Sequence, residues 1–168
     1  VVFADTGSEL PSTYATVSQI KDLCDTEEIP FHIVKKSGSP LHWFYESKGL
    51  LPMVGNPRCT FNFKIYPVRR WVKERCDRTQ SKPWARSWIG ITTDERERER
   101  PSEVKWLANR FPLLELNMSR DDCINYLKEY WPEIMVSKSG CFCCPYQSVK
   151  KWARLRREHP DLSQQAIE

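Results

Sequence analysis

The 168-residue sequence predicts an α/β fold in which parallel strands are joined by helical crossovers. Two observations carry this. Val1-Val-Phe-Ala4 is a short apolar, β-branched run that stops at Asp5-Thr-Gly7, the pattern of a buried parallel strand running into a loop. Pro11 then opens a helical repeat of apolar positions, Tyr14, Val17, Ile20 and Leu23, and Pro30 precedes a second strand, Phe31-His-Ile-Val34. Strands connected through a helix in this way lie parallel with a right-handed crossover.

The remaining elements follow in order. Lys35 to Cys59 is rich in Gly, Ser and Pro around the aromatic patch His42-Trp-Phe-Tyr45, and reads as an irregular excursion carrying a short helix. Ile65 to Cys76 is a basic amphipathic helix with Val68, Trp71 and Val72 inward. Trp88-Ile-Gly-Ile91 reads as a strand, and Asp94 to Arg100, alternating in sign, as a solvated turn or helix start. Phe111-Pro-Leu-Leu-Glu-Leu116 is the next strand candidate. Ser119 with Asp122 forms a capping-box signature for a helix reaching Tyr130, which Pro132 ends. Val149 to Glu158 is a basic helix stopped by His159-Pro160. No internal repeat is present.

A chain of this length can bury a core as one domain, residues 1–168, with a cysteine knuckle and basic helix at 139–168. It has no apolar run able to cross a bilayer and no signal-peptide layout, so the expectation is a cytoplasmic protein without a membrane partner. The net charge of +4 is segregated into Arg69, Arg70, Lys73, Arg75 and Arg78, and into Lys150, Lys151, Arg154, Arg156 and Arg157. Such patches suit phosphates or nucleic acid, although a solvated helix face accounts for either one alone. Seven cysteines, an odd number in a Trp-, Lys- and Glu-rich chain, favour reduced thiols available to metal. Because Val1 falls inside a predicted strand and Ala166-Ile-Glu168 inside a predicted helix, the sequence reads as a piece of a longer protein.

In an open parallel sheet, ligands bind outside the carboxyl ends of the strands. Asp5-Thr-Gly-Ser-Glu9, the segment leading into Arg58-Cys59, and Asp94-Glu95 with Arg98 fall there. The Asp5 segment could receive a ribose or phosphate at a helix mouth, or it could be a connection in which Ser8 or Glu9 caps the helix. The cysteines are more specific. Cys141 and Cys144 have Cys-x-x-Cys spacing between Gly140 and Pro145, turn chemistry that lets two sulfurs converge on one ion. A redox-active dithiol and a disulfide are the other readings of the pair. Cys59, placed in a loop near the cations Arg58 and Lys64, is the best further donor. Cys143, Cys76, a histidine or an exogenous ligand would complete the set. Cys24 and Cys123 read as small buried hydrophobes. None of His32, His42 and His159 reads as a general base.

With these pieces placed, the chain resembles the phosphoadenosine phosphosulfate reductase-like branch of the PP-loop ATP pyrophosphatase superfamily, the adenine nucleotide α-hydrolase fold. The matching stretches are Val2-Phe-Ala-Asp-Thr-Gly-Ser-Glu9 with Pro11; Arg58-Cys-Thr60 with Lys64; Trp88-Ile-Gly-Ile91 with Asp94-Glu95 and Arg98; and Ser139-Gly-Cys141 with Cys144-Pro145. They span nearly the whole chain in the family's order. The resemblance implies a three-layer fold, a mostly parallel twisted sheet flanked by helices, with ATP or another adenylyl nucleotide and Mg²⁺ across the strand ends. It implies that Asp5, Thr6 and Gly7 lie near the nucleotide, that Arg58, Lys64 and Arg98 meet phosphates or a substrate anion, and that Cys59, Asp94 and Arg98 are the catalytic candidates.

Two departures accompany it. The family's Ser-Gly-Gly-x-Asp-Ser phosphate loop precedes the Asp-Thr-Gly strand and does not occur in this sequence, and neither does the Glu-Cys-Gly context of the thioredoxin-dependent reductases. Arg-Cys-Thr with Cys-x-x-Cys-Pro is more similar to relatives that pair the nucleotide with an iron–sulfur cluster, the DNA phosphorothioation ATPases and tRNA thiolation enzymes. Cys59, Cys141, Cys144 and Cys143 are then the ligand candidates, with zinc the alternative metal. The expected activity is ATP-dependent sulfur transfer to nucleic acid or a nucleotide, with DNA or tRNA and a sulfur-donor protein as partners. The alternatives are reduction of adenylyl sulfate or phosphoadenylyl sulfate, and a non-catalytic zinc knuckle that docks nucleic acid or a protein.

Overall fold

The computed structural model describes residues 1–55, 58–79, 81–134 and 139–168; residues 56 and 57, within the predicted excursion, lie outside it. Among the described residues the chain is mixed α/β, with two two-stranded parallel sheets, and it divides into two compact units. One comprises Val1–Trp71 with Ser137–Glu168, the other Val72–Val136.

In the first unit, β1 (Val2–Asp5) pairs in parallel with β2 (His32–Lys35), Val2 opposite His32 and Asp5 opposite Lys35. Helix α1 (Pro11–Thr26) makes the crossover, as the alternation of patterns predicts, and Pro11 stands in its first turn. Its N-cap is Leu10, with no side-chain cap, so neither Ser8 nor Glu9 serves that role. The excursion after β2 carries α2 (Leu41–Glu46). A helical run follows: α3 (Arg58–Thr60), a π-helical turn (Phe61–Ile65) and α4 (Tyr66–Arg75).

Helix therefore begins at Arg58 rather than at Ile65, and Cys59 sits on a helix instead of in a loop. Cys, Thr, Phe and Asn are indifferent helix formers, so local propensity does not announce this segment. Tertiary burial does the work: Phe63, 2 % exposed, packs edge-on against Phe44 with ring centroids 5.5 Å apart. Helix α7 (Val149–Glu158) ends at His159 as predicted, and Pro160 opens α8 (Pro160–Gln165). The core cluster is Leu41, Phe63 and Cys141, with Phe44, Tyr45, Cys59, Cys143 and Cys144 packed against it.

In the second unit, β3 (Ala85–Trp88) pairs in parallel with β4 (Leu107–Arg110), Ala85 opposite Leu107 and Trp88 opposite Arg110. The predicted strand Trp88–Ile91 thus lies earlier in the chain: pairing stops at Trp88, and Ile91 is buried beyond the strand end. The strand predicted at Phe111–Leu116 is a helical turn, α5 (Pro112–Glu115), and the strand precedes it. Pro112 explains the correction, because it has no N–H for a ladder and its fixed φ suits the first helical position. Thr93–Arg98 is a 3₁₀ segment, where sign alternation marked a solvated turn or helix start. In α6 (Arg120–Tyr130) the capping box forms: the Ser119 hydroxyl accepts from the Asp122 N–H, and the Asp122 carboxylate accepts from the Ser119 N–H.

Candidate functional site

The loop after β1 is held by its own side chains. Asp5 Oδ1 accepts from the Gly7 N–H at 2.7 Å and from the Tyr14 hydroxyl at 2.9 Å, and Oδ2 pairs with Lys35 at 2.8 Å. Burial pushes the Asp5 carboxyl up, but the Lys35 ammonium and these two donors outweigh it and hold it below the usual aspartate range. The same contact, with burial the larger cause, lifts the Tyr14 phenol to about 12. Gly7 has φ +69°, and a Cβ there would meet Pro40 Cβ at 3.0 Å. That left-handed, crowded position favours glycine. The next residues dock α2: the Thr6 carbonyl accepts from the Leu41 N–H at 2.9 Å, and Ser8 Oγ accepts from the His42 N–H at 3.0 Å while lying 2.9 Å from His42 Nδ1.

The cysteine knuckle is stitched to this loop. Glu9 and Cys141 form an antiparallel bridge, the Leu10 N–H donates to Gly140 O at 3.1 Å, and the Phe142 N–H donates to Ser8 O at 3.0 Å. The knuckle closes on itself through the Cys144 N–H to Cys141 O at 3.2 Å, and the Gln147 amide donates to Cys141 O and Phe142 O at 3.2 and 2.7 Å. Side chains join the two segments as well. Thr6 Oγ1 donates to Glu9 Oε1 at 3.0 Å and lies 3.4 Å from Cys141 Sγ, which itself approaches Glu9 Oε1 at 3.6 Å. Lys64 Nζ, from the π turn, is 3.4 Å from the same oxygen.

The electrostatics follow from this packing. Burial first, then the Glu9 carboxylate, pushes the Cys141 thiol up to about 12, against the opposing pull of Thr6 and Lys64. Burial likewise pushes Cys143 up to about 11. For Lys64, burial opposes the charge, but Glu9 and the neighbouring thiols prevail and hold its ammonium above the usual lysine range. Thiols in this state must lose protons to bind metal, which makes their affinity for a cation pH-dependent.

The structure thus brings together Asp5, Thr6, Gly7, Cys59, Lys64, Cys141, Cys143 and Cys144 in one unit. Arg58 is exposed beside Tyr45, whose phenol it draws down against the stronger upward push of burial and Cys59. Asp94 and Arg98 belong to the second unit, each with a local partner: Asp94 Oδ2 accepts from the Arg120 N–H at 2.6 Å, and Arg98 pairs with Glu95 at 2.6 Å. Cys76, a candidate for the last ligand, also belongs to that unit. A crevice of about 170 Å³ lies over the end of β1, lined by Asp5, Thr6, Gly7, Lys35, Lys36 and Ser39 among others.

What sequence reasoning missed is the burial of Ser8 and Glu9 and the contact of Ser8 with His42. Glu9 and Ser8 looked like capping candidates; their burial, at 4 and 1 % exposure, comes from the knuckle and α2, distant in sequence. All seven cysteines are free thiols. Among the described residues, no three His, Cys, Asp or Glu side chains gather around one ion-sized point. Glu9 Oε2 is buried without a hydrogen-bond partner among the described residues. No family model, curated protein or solved structure matches the chain.

Proposed function

We propose that the chain is a phosphoadenosine phosphosulfate reductase-like enzyme that binds an adenine nucleotide and an iron–sulfur cluster and transfers sulfur to nucleic acid or a nucleotide at the expense of ATP. A three-layer α/β arrangement belongs to this reading. The observation that carries it is the junction of three sequence-distant segments. The Asp5–Glu9 loop, the Cys59–Lys64 turn and the Cys141–Cys144 knuckle meet through Glu9, Thr6 and Lys64.

The donor chemistry fits the cluster. Four thiols from two segments pack against one apolar core, and such clusters are held by cysteine thiolates. When bound, the cluster supplies electron transfer or a place to handle sulfur. The chain's own residues do the rest. Lys35, Lys36 and the half-exposed Lys64 offer positive charge to nucleotide phosphates and their Mg²⁺, while Asp5 fixes the loop that faces them. Neutralising charge as pyrophosphate leaves is the contribution such groups make.

The test is anaerobic purification of the whole chain. The expected preparation is brown, contains iron and acid-labile sulfide, and releases pyrophosphate from ATP; Cys141→Ser loses the iron and the colour. A colourless zinc-bound protein without ATP turnover overturns the proposal.

A further inference from the structure

We propose that Phe61 and Tyr66 form a stacking platform for the unpaired bases of single-stranded nucleic acid, with the exposed Arg58 beside it to meet the strand's phosphates. The inference deepens the nucleic-acid acceptor of the reading above and rests on that part of it alone.

The π turn makes the platform. Its closing bond runs from the Tyr66 N–H to the carbonyl of Phe61. At about 3.6 residues per turn, residues five apart diverge around an α-helix. The extra residue of a π turn returns them to one side, and the two rings stand with centroids 6.5 Å apart. The two faces of the turn differ. Phe63 is 2 % exposed and packs on Phe44, and Lys64 reaches the buried Glu9. Phe61 and Tyr66 are 46 and 52 % exposed. A lone exposed aromatic is ordinary, whereas two side by side on one surface form an apolar patch that folding does not account for.

Charge selects the occupant. From Arg58 to Trp71 the chain carries Arg58, Lys64, Arg69 and Arg70 and no carboxylate. Arg58 is exposed three residues before Phe61 on α3, and Arg70 is exposed four residues after Tyr66 on α4, separations at which helical side chains are neighbours. Aromatic faces bordered by cations match a strand whose bases alternate with phosphates, and every base has a π face to offer. In a duplex those faces are closed by stacking on one another, so the occupant is a single strand. Trp71, the aromatic that the basic helix offers by sequence, is taken up by His32.

The experiment measures binding of the whole chain to a fluorescein-labelled oligothymidylate of about 12 nucleotides, within the span of such sites. A mixed-sequence duplex of the same length is measured beside it, both by fluorescence anisotropy across a salt series. Phe61→Ala with Tyr66→Ala is expected to weaken binding of the single strand by about tenfold, the scale of one lost stack, and to leave duplex binding unchanged. Its salt slope should stay that of wild type, because stacking releases no counterions. Phe61→Tyr with Tyr66→Phe keeps both rings and is expected to retain wild-type affinity. Arg58→Met should flatten the slope for the single strand by about 0.7 unit. Far-ultraviolet circular dichroism confirms that each variant is folded. If the alanine pair binds the single strand like wild type, or loses single strand and duplex equally, the rings do not stack on bases and the inference fails alone. Sedimentation reads one further outcome: if the alanine pair dissociates a wild-type dimer while strand affinity is unmoved, the patch joins two copies of the chain and the inference is overturned. If wild type binds neither probe, the nucleic-acid acceptor falls and carries this inference with it. A chain without iron or ATP turnover that still loses the single strand through the alanine pair drops the enzyme reading and keeps the platform.

Discussion

Asp5 shows how one side chain can tie a local turn to a binding surface. It accepts from Gly7 and Tyr14 and pairs with Lys35, while standing 7 % exposed at the end of β1. Burial disfavours its charge, the three partners favour it, and the partners win, so its folded pKa lies below the unfolded value. A carboxylate of that kind contributes stability above its unfolded pKa, near 4, and loses it as pH falls through the lower folded pKa. Asp5→Asn is therefore expected to lower stability at neutral pH by about 1–3 kcal/mol, the scale of a charged hydrogen bond. It should also lose less on acidification toward about pH 3 than wild type does. Urea unfolding at the two pH values checks both, and equal pH slopes for the two proteins would show that Asp5 is not the group responsible. The loop's identity was legible in Asp5-Thr-Gly7 because strand exit and glycine are local signals. The roles of Ser8 and Glu9 were not, because both depend on partners more than thirty residues away.

Among the elements, agreement between sequence and structure follows how local each cause is. Helix α6 begins where its capping box says it should, since Ser119 and Asp122 satisfy each other's backbone N–H without help from elsewhere. Ser119→Ala is expected to cost about 1 kcal/mol, measured as a lower urea midpoint, with Ser119→Gly costing only a few tenths. An unchanged midpoint would mean that packing alone holds the helix start. The π turn Phe61–Ile65 is the opposite case: Phe63 reaches Phe44 and Lys64 reaches Glu9 from it, and no periodicity in the sequence marks it. Such turns occur disproportionately at functional sites, which agrees with its position beside the thiols.

For the whole molecule, charge and thiol state set what the chain can meet. Exposed Lys150 and Arg156 on α7 belong to a basic face, while Trp71 of the other basic helix lies against His32 with ring centroids 4.7 Å apart. That packing favours the inward reading of Trp71 over base stacking. If nucleic acid is the acceptor, reversing both charges, Lys150→Glu with Arg156→Glu, is expected to weaken DNA or tRNA binding. It should also flatten the dependence of log affinity on log salt by about one unit for each phosphate no longer neutralised. Filter binding across a salt series reads this, and an unchanged slope would remove α7 from the interface. Helices long and apolar enough to cross a membrane are absent among the described residues.

The sequence by itself determined the β-α-β unit, the capped α6, the basic α7 and the identity of the cysteines, because each is written in residues close together in the chain. Tertiary structure decided the rest: that Cys59 rides a helix, that Pro112 turns an apolar run into a helical turn, and that Glu9 is buried against Cys141. The physical reason is that burial and the pairing of a charge depend on segments the chain brings together only on folding. A motif can name the donors of a site, but which of their atoms are left without a partner is settled by the packing around them.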